Sequence, residues 1–180
     1  KHWLGIDQDG SVLLTASSSR LHGGHTIVRL TTSGPVKVTG VFSGPVAEPA
    51  LQYRAGAQLY FDEVNAKGGI SGRKIKLVSY DDKFDPKLAA ENTRKLIEED
   101  KVFALFGYIG TGATVASIPK INEHRVPVIG ALSGADGLRD PKLNLIFHTR
   151  ASYGAETGKM VEQLTTTGVK SIAVVFQDDP

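Results

Sequence analysis

Two apolar runs, Val102 to Phe106 and Val126 to Ala131, constrain this chain more than any other feature. A strand with one wet face alternates polar and apolar residues, whereas an unbroken apolar run marks a strand covered on both faces. The segment between the runs contains a helical stretch, Ala113 to Asn122. That spacing is too long for a hairpin and suits a helical crossover between parallel strands.

The same rhythm extends to both sides. Val36 to Phe42 reads as a β-branched strand ending at Ser43-Gly44-Pro45. Pro49 to Ala66 reads as a helix with Leu51, Ala55, Leu59 and Val64 on its buried stripe, stopped by Lys67-Gly68-Gly69. Arg73 to Tyr80 alternates like a strand closed by Asp81-Asp82, and Asp85-Pro86 opens a helix with Asp at the N-cap and Pro at its first position. Leu88, Ala89, Leu96 and Ile97 form that helix's apolar stripe. Ile146 to Thr149 predicts a short strand and Tyr153 to Thr166 a helix buried through Met160, Val161 and Leu164. Gly168 ends that helix, and Ser171 to Phe176 predicts a final strand. Strands alternating with helices define an α/β fold: an open, mainly parallel sheet with helices on both faces.

The first 33 residues break this pattern. Ser11 to Thr15 and Thr26 to Leu30 read as two strands around the turn-rich Ser17 to Gly24, which predicts an N-terminal hairpin. Asp7-Gln8-Asp9-Gly10-Ser11 opens like a calcium loop but lacks the acidic ligand at loop position 12, which argues against calcium. The triplet Ser-Gly-Pro occurs at 33–35 and at 43–45, so the first strand of the sheet could be Thr26 to Thr31 or Val36 to Phe42; the later copy is preferred. The expected organisation is an extension over 1–33, a lobe over 34–150, and a crossing into a further unit over 151–180.

Composition closes off several functions. The 180 residues carry 21 Lys plus Arg against 19 Asp plus Glu, a net +2, which gives no electrostatic reason for a nucleic-acid partner. Charged residues at 22% and hydrophobic ones at 41% exclude a disordered chain, and the absence of cysteine removes thiolate catalysis and thiol metal sites.

In an open parallel sheet, ligands bind beyond the carboxyl ends of the strands. The segments to inspect are therefore 43–48, 80–85, 107–114 and 131–136. None holds a catalytic set. Of the five histidines only His148 lies near a strand end, and Thr149 and Arg150 beside it do not form a nucleophile elbow. Asp81, Asp82 and Asp85 cluster at one strand end, but Asp85 is better explained as the cap and Lys83 offsets the charge.

The richest loop is Gly107-Tyr108-Ile109-Gly110-Thr111-Gly112-Ala113-Thr114. Unpaired amides at a helix start favour an anion, and the Thr111 hydroxyl adds a donor. A tight strand-to-helix turn that needs glycine for packing explains the same residues, and spacing alone leaves both readings open. The dinucleotide version is weak: the glycines do not follow G-x-G-x-x-G, no acid ends a strand ~20 residues later, and no phosphate-loop motif is present.

Several stretches together resemble the first lobe of the leucine/isoleucine/valine-binding proteins, the type I periplasmic receptors of ABC transporters. They are Ser43-Gly44-Pro45-Val46-Ala47, Arg54-Ala55-Gly56-Ala57, Val64-Asn65-Ala66-Lys67-Gly68-Gly69-Ile70-Ser71-Gly72-Arg73-Lys74, Tyr80-Asp81-Asp82, and Gly107 to Thr114. Such receptors trap a ligand between two hinged lobes and perform no chemistry. The resemblance implies that Gly110, Thr111 and Gly112 hold the ligand's carboxylate. It further implies that the backbone of Leu132, Ser133 and Gly134 meets the carboxylate and ammonium, and that Ser43 walls the side chain. Where the amino-acid binders carry threonine, this chain has Ser133, so a simple aliphatic or aromatic acid stays open beside an α-amino acid. The plan also implies a crossing to the second lobe near Arg150-Ala151-Ser152, with most of that lobe absent.

The expected function follows: a periplasmic, non-enzymatic receptor component for a branched-chain amino acid or related small carboxylate. Its partners would be that ligand and a membrane permease, with no cofactor and weak binding by this chain alone. A second class is an oligomerising module, in which the apolar face of 153–176 is covered by a second copy, with or without exchange of that segment. A nucleotide-binding α/β enzyme is the least favoured class.

Overall fold

The computed structural model describes residues 3–6, 12–16, 26–30, 37–40, 42–44 and 47–175, and contains two sheets. The first is an antiparallel meander of β1 (Trp3–Ile6), β2 (Val12–Ala16) and β3 (Thr26–Leu30), registered through Trp3↔Thr15 and Val12↔Leu30. The hairpin expected from the sequence is its β2–β3 half. Strand β1 was not anticipated, because four residues interrupted by Gly5 carry too little pattern. The Asp7 to Ser11 stretch, the Ser17 to Gly24 turn, the Ser33 to Pro35 boundary and Pro45 lie outside the described residues.

The second sheet is parallel. In chain order its elements are β4 (Lys37–Gly40), α1 (Ala47–Ala66), β5 (Ser79–Asp81), α2 (Pro86–Arg94), β6 (Leu105–Phe106), α3 (Thr111–His124), β7 (Val128–Ile129), β8 (Ile146–Phe147) and α4 (Tyr153–Thr166). The strand order is β5-β4-β6-β7-β8, every pair parallel. Strand β3 belongs to the other sheet, so the parallel sheet starts with the strand leading to Ser43, the later of the two triplets.

The order fixes where a ligand can sit. From β4 the chain moves outward to β5, then returns across β4 to β6 and continues the other way. The direction therefore reverses at β4, and open α/β sheets form their binding crevice outside the strand ends at such a reversal.

Helix boundaries follow local chemistry. Asp85 caps α2, accepting the amides of Lys87 (2.7 Å) and Leu88 (3.3 Å), with Pro86 at its first position. The chain then widens into a π turn over Lys95–Glu99 that buries Leu96 and Ile97. These two join Val102, Leu105, Tyr108, Ile121, Val128 and Leu145 in the main core.

Three expectations are corrected. Helix α1 does not bury the Leu51–Ala55–Leu59 stripe: Leu59 is 76% exposed, while Ala50 is buried and Tyr53 and Phe61 pack on Phe106. Aromatic stacking on the sheet thus selects a face one position round from the one read from leucines. On α2, Leu88 lies outward, and Ala89, Asn92 and Thr93 are buried. The strand expected over Arg73 to Tyr80 pairs only from Ser79; Arg73 is bridged back to Ile70 instead.

The strand expected from Ser171 does not form over 171–175, and α4 buries none of its residues. Met160, Val161 and Leu164 are exposed, and Val175 is 98% exposed. A strand exists only through its ladder, and no described strand offers 171–175 a partner.

Candidate ligand-binding site

The loops at the carboxyl ends of the parallel strands are joined to one another in sequence around the switch point. After β4, the Ser43 hydroxyl donates to the Asp81 carboxylate, which also accepts the amides of Phe42 (2.9 Å) and Lys83 (3.0 Å). Burial alone would push the Asp81 carboxyl up. The donors from Ser43, Phe42 and Lys83, together with the Lys83 charge, outweigh it and hold the group below the ordinary range.

After β5, Lys83 and Phe84 both take left-handed backbone conformations, with φ of 53° and 63°. A bulky aromatic residue rarely does so. The turn lays the Phe84 ring on Gly110, where a Cβ in place of the glycine hydrogen would stand 2.7 Å from the ring. Gly110 itself has φ 90°, so glycine is required there twice over. Beside it, Pro86 packs against Gly112.

Gly110 caps α3 and makes no side-chain cap hydrogen bond, so the amides of Thr111, Gly112 and Ala113 start the helix without one. The Thr114 hydroxyl turns back to the Gly110 carbonyl at 2.9 Å. Across the next loop, Thr111 Oγ1 lies 2.8 Å from Ser133 Oγ, which accepts the Ala135 amide at 3.2 Å. Ser133 is fully buried, whereas Thr111 is half-buried. The hydroxyl proton arrangement that leaves a donor at the surface is Ser133 donating to Thr111. Thr111 then has its own proton available to an anion at the helix start.

The sequence-predicted residues thus divide. Gly110, Thr111, Gly112 and Ser133 come together at the start of α3. Leu132 is adjacent, but its amide donates to the Tyr108 carbonyl (2.6 Å) and its carbonyl accepts the Gly110 amide (3.4 Å), a parallel bridge that aligns the two loops. Gly134 is buried under Tyr153: a Cβ there would meet the ring at 2.3 Å, and its carbonyl accepts the Tyr153 amide. Ser43 is exposed and its hydroxyl is engaged by Asp81.

Contacts outside the expected site residues hold the segment after β8. Arg139 donates to the carbonyls of Ala135 (2.9 Å), Arg150 (3.1 Å) and Ala151 (2.9 Å). The Asp136 carboxyl accepts the Gly154 amide at 3.1 Å, and the Ser152 hydroxyl with that amide holds it below its ordinary range. Arg150 pairs with Glu156 and sits 5.2 Å from the Tyr153 ring centroid. No spacing signal marks these contacts, because they join residues whose neighbours in sequence are ordinary loop chemistry.

His148 does not serve the rim. Its Nε2 lies 3.0 Å from the Leu138 carbonyl, its Nδ1 is buried without a hydrogen-bond partner, and burial holds its pKa below the ordinary value. Among the described residues no group of His, Asp and Glu could hold a metal. A groove of about 450 Å³ runs between α1 and the β5 edge, lined by Leu51, Arg54, Gln58 and Ser79. Its cation, Arg54, already lies over the Phe42 ring, 4.5 Å from the centroid, so the rim rather than this groove is the better anion seat.

The fold is an open parallel α/β sheet whose switch-point loops present helix-start amides and hydroxyls. The chain belongs to the periplasmic binding protein family, whose model matches residues 37–180. It is 39% identical to the Leu/Ile/Val/Thr-binding protein of Salmonella typhimurium over 114 residues, covering 63% of this chain and 31% of that protein. A possible leucine/isoleucine/valine-binding protein from Rhodopirellula baltica superposes with a TM-score of 0.71 at 34% identity, covering 76% of this chain and 37% of that one. An ABC-transporter solute-binding protein of R. palustris, in complex with benzoate, superposes with a TM-score of 0.65 at 26% identity, covering 76% and 38%. The chain therefore spans between a third and two fifths of these structures and less than a third of the curated relative. The resemblance read from the sequence is the family found.

Proposed function

We propose that this chain carries the head-group seat of a periplasmic receptor that delivers a small carboxylic acid to an ABC-transporter permease. The observation that carries this is the Thr111–Ser133 hydroxyl pair at the uncapped start of α3, beside the sheet's switch point. Charge-assisted hydrogen bonds of this kind contribute about 1.5–3 kcal/mol each. In this reading, residues 34–150 form the binding lobe, 151–180 cross toward a further unit, and 1–33 are an extension. The relatives named above support a branched-chain amino acid or an aromatic acid as cargo. A seat open on one side leaves the cargo half solvated, so the chain alone binds weakly, because closure supplies the remaining contacts.

A thermal-shift screen tests this. Branched-chain amino acids, hydroxybenzoates and short aliphatic acids at millimolar concentration should raise the melting temperature in at least one group, because any ligand of the folded state must stabilise it. Stabilisation by nucleotides and by no acid would contradict the proposal. The uncovered face of α4 favours a second property, self-association through 153–175 with a second copy of this chain.

A further inference from the structure

The strand order makes Phe84 reach past one strand of the sheet. It follows β5, at the sheet edge, yet its ring rests on Gly110, which follows β6 on the far side of β4. The ring therefore spans the crevice at the reversal point, next to the amides that start α3. It remains 37% exposed, so the ring lies beside the crevice without sealing it. Around it the rim is polar: Asp81 and Ser43 on one flank, Thr111 and Ser133 on the other. Phe84 adds a large apolar surface to that polar rim.

We infer that Phe84 is a specificity-determining residue, the wall against which the hydrocarbon part of a bound acid packs; this rests on the carboxylate reading given above. A ligand seated by its carboxylate on Thr111 and the neighbouring amides has its first carbons beside Gly110, in contact distance of the ring. An aliphatic or aromatic tail there loses apolar surface to water. A tail bearing a second carboxylate would lose water against the ring, beside the Asp81 carboxylate, whose negative charge Lys83 offsets only in part. The seat therefore selects monocarboxylic acids with apolar tails over dicarboxylates. The strained turn at Lys83 and Phe84 holds the ring across the crevice, and bare Gly110 gives it room.

The test is an NMR titration of the full chain with acetate, isovalerate, benzoate and succinate, comparing wild type with Phe84→Ala and Phe84→Leu. Wild type should prefer isovalerate and benzoate to succinate. Phe84→Ala should weaken the two apolar acids roughly tenfold, the scale of a lost apolar contact, and leave acetate within about twofold; Phe84→Leu should recover isovalerate more than benzoate. Should Phe84→Ala fail to fold, the Phe84→Leu comparison decides by itself, through the isovalerate-to-benzoate ratio. Unchanged apolar affinity, or an equal loss for acetate, overturns the inference and leaves Phe84 as support for Gly110 alone. Wild type binding none of the four acids, and not leucine in a fifth titration, overturns the carboxylate seat itself, and the inference with it.

Discussion

Thr111 Oγ1 and Ser133 Oγ stand 2.8 Å apart although 22 residues separate them, because the parallel bridge Ile109↔Leu132 brings the loops after β6 and β7 level. One hydroxyl is buried and already accepts an amide; the other faces the helix start. The pair works as a chain of donors, from the Ala135 amide through Ser133 to Thr111, ending where an anion would arrive.

Thr111→Val removes the last donor in that chain. Stabilisation by any acid found in a thermal-shift screen should disappear. The free protein should lose about 1–3 kcal/mol, since the buried Ser133 hydroxyl keeps the Ala135 amide but loses its acceptor. Thr111→Ser should retain both stability and binding, and calorimetric unfolding of the three proteins with and without acid measures the difference.

Gly69→Ala should be among the most damaging substitutions in the chain. A Cβ there would lie 2.1 Å from the Arg73 carbonyl oxygen, on a backbone with φ 78°, so no side-chain rotation can relieve it. The expected loss is about 3 kcal/mol or more, from backbone displacement added to left-handed strain. Gly68→Ala, with φ 99° but nothing within 4 Å, should cost less. Urea unfolding of both variants checks the ranking.

This contrast shows what was legible in advance. The Asn65 to Lys74 stretch reads clearly from sequence because its glycines are local necessities: Gly69 closes on Arg73 four residues away, and Asn65 holds both backbone groups of Ile75 at 2.7 Å. The buried strands β6 and β7 and the Asp85 cap were legible for the same reason, each being decided by neighbours in sequence. The face of α1 was not, because Tyr53 and Phe61 are chosen by Phe106, a partner 45 residues or more away. Phe84 on Gly110 and Tyr153 on Gly134 were equally hidden. Each is a ring over a glycine from a different loop, and nothing in either loop alone specifies the meeting. The strand expected from Ser171 had the right local pattern but no described partner strand.

Stability should fall as the solution is acidified below neutrality. His148 is neutral when folded, its Nε2 directed at the Leu138 carbonyl and its Nδ1 buried without a partner, and burial depresses its pKa. The unfolded chain binds a proton near the ordinary value of about 6.5. Its contribution is therefore complete above that value and is lost as the pH falls toward the lower folded value. Melting temperatures between about pH 7 and about pH 5 should decline in wild type. They should decline less in His148→Gln, which keeps a donor for Leu138 and cannot charge.

Arg139 ties the loop after β7 to the segment leading into α4 through three carbonyls. Arg139→Lys keeps the charge but cannot present the planar fork. Hydrogen exchange at Ala151 to Gly154 should accelerate roughly tenfold or more, consistent with losing hydrogen bonds of about 1.5–3 kcal/mol, while amides of α3 keep their protection. Equal acceleration in both regions would mean that Arg139 supports the whole lobe instead.

The self-association proposed for the exposed face of α4 has a direct check. Sedimentation at rising concentration should show a dimer, and Met160→Lys with Val161→Glu should return it to monomer. A wild-type monomer at high concentration contradicts this.

The most direct probe of the anion seat is a nitrogen–proton correlation titration with an acid that stabilises the protein, run in parallel with its neutral primary amide. The account predicts that the acid moves the amide signals of Thr111, Gly112 and Ala113 downfield, with smaller shifts at Ser133 and Ala135, and that the neutral amide leaves them in place. Shifts confined to other loops, or equal shifts with the uncharged compound, would show that the start of α3 does not hold a carboxylate.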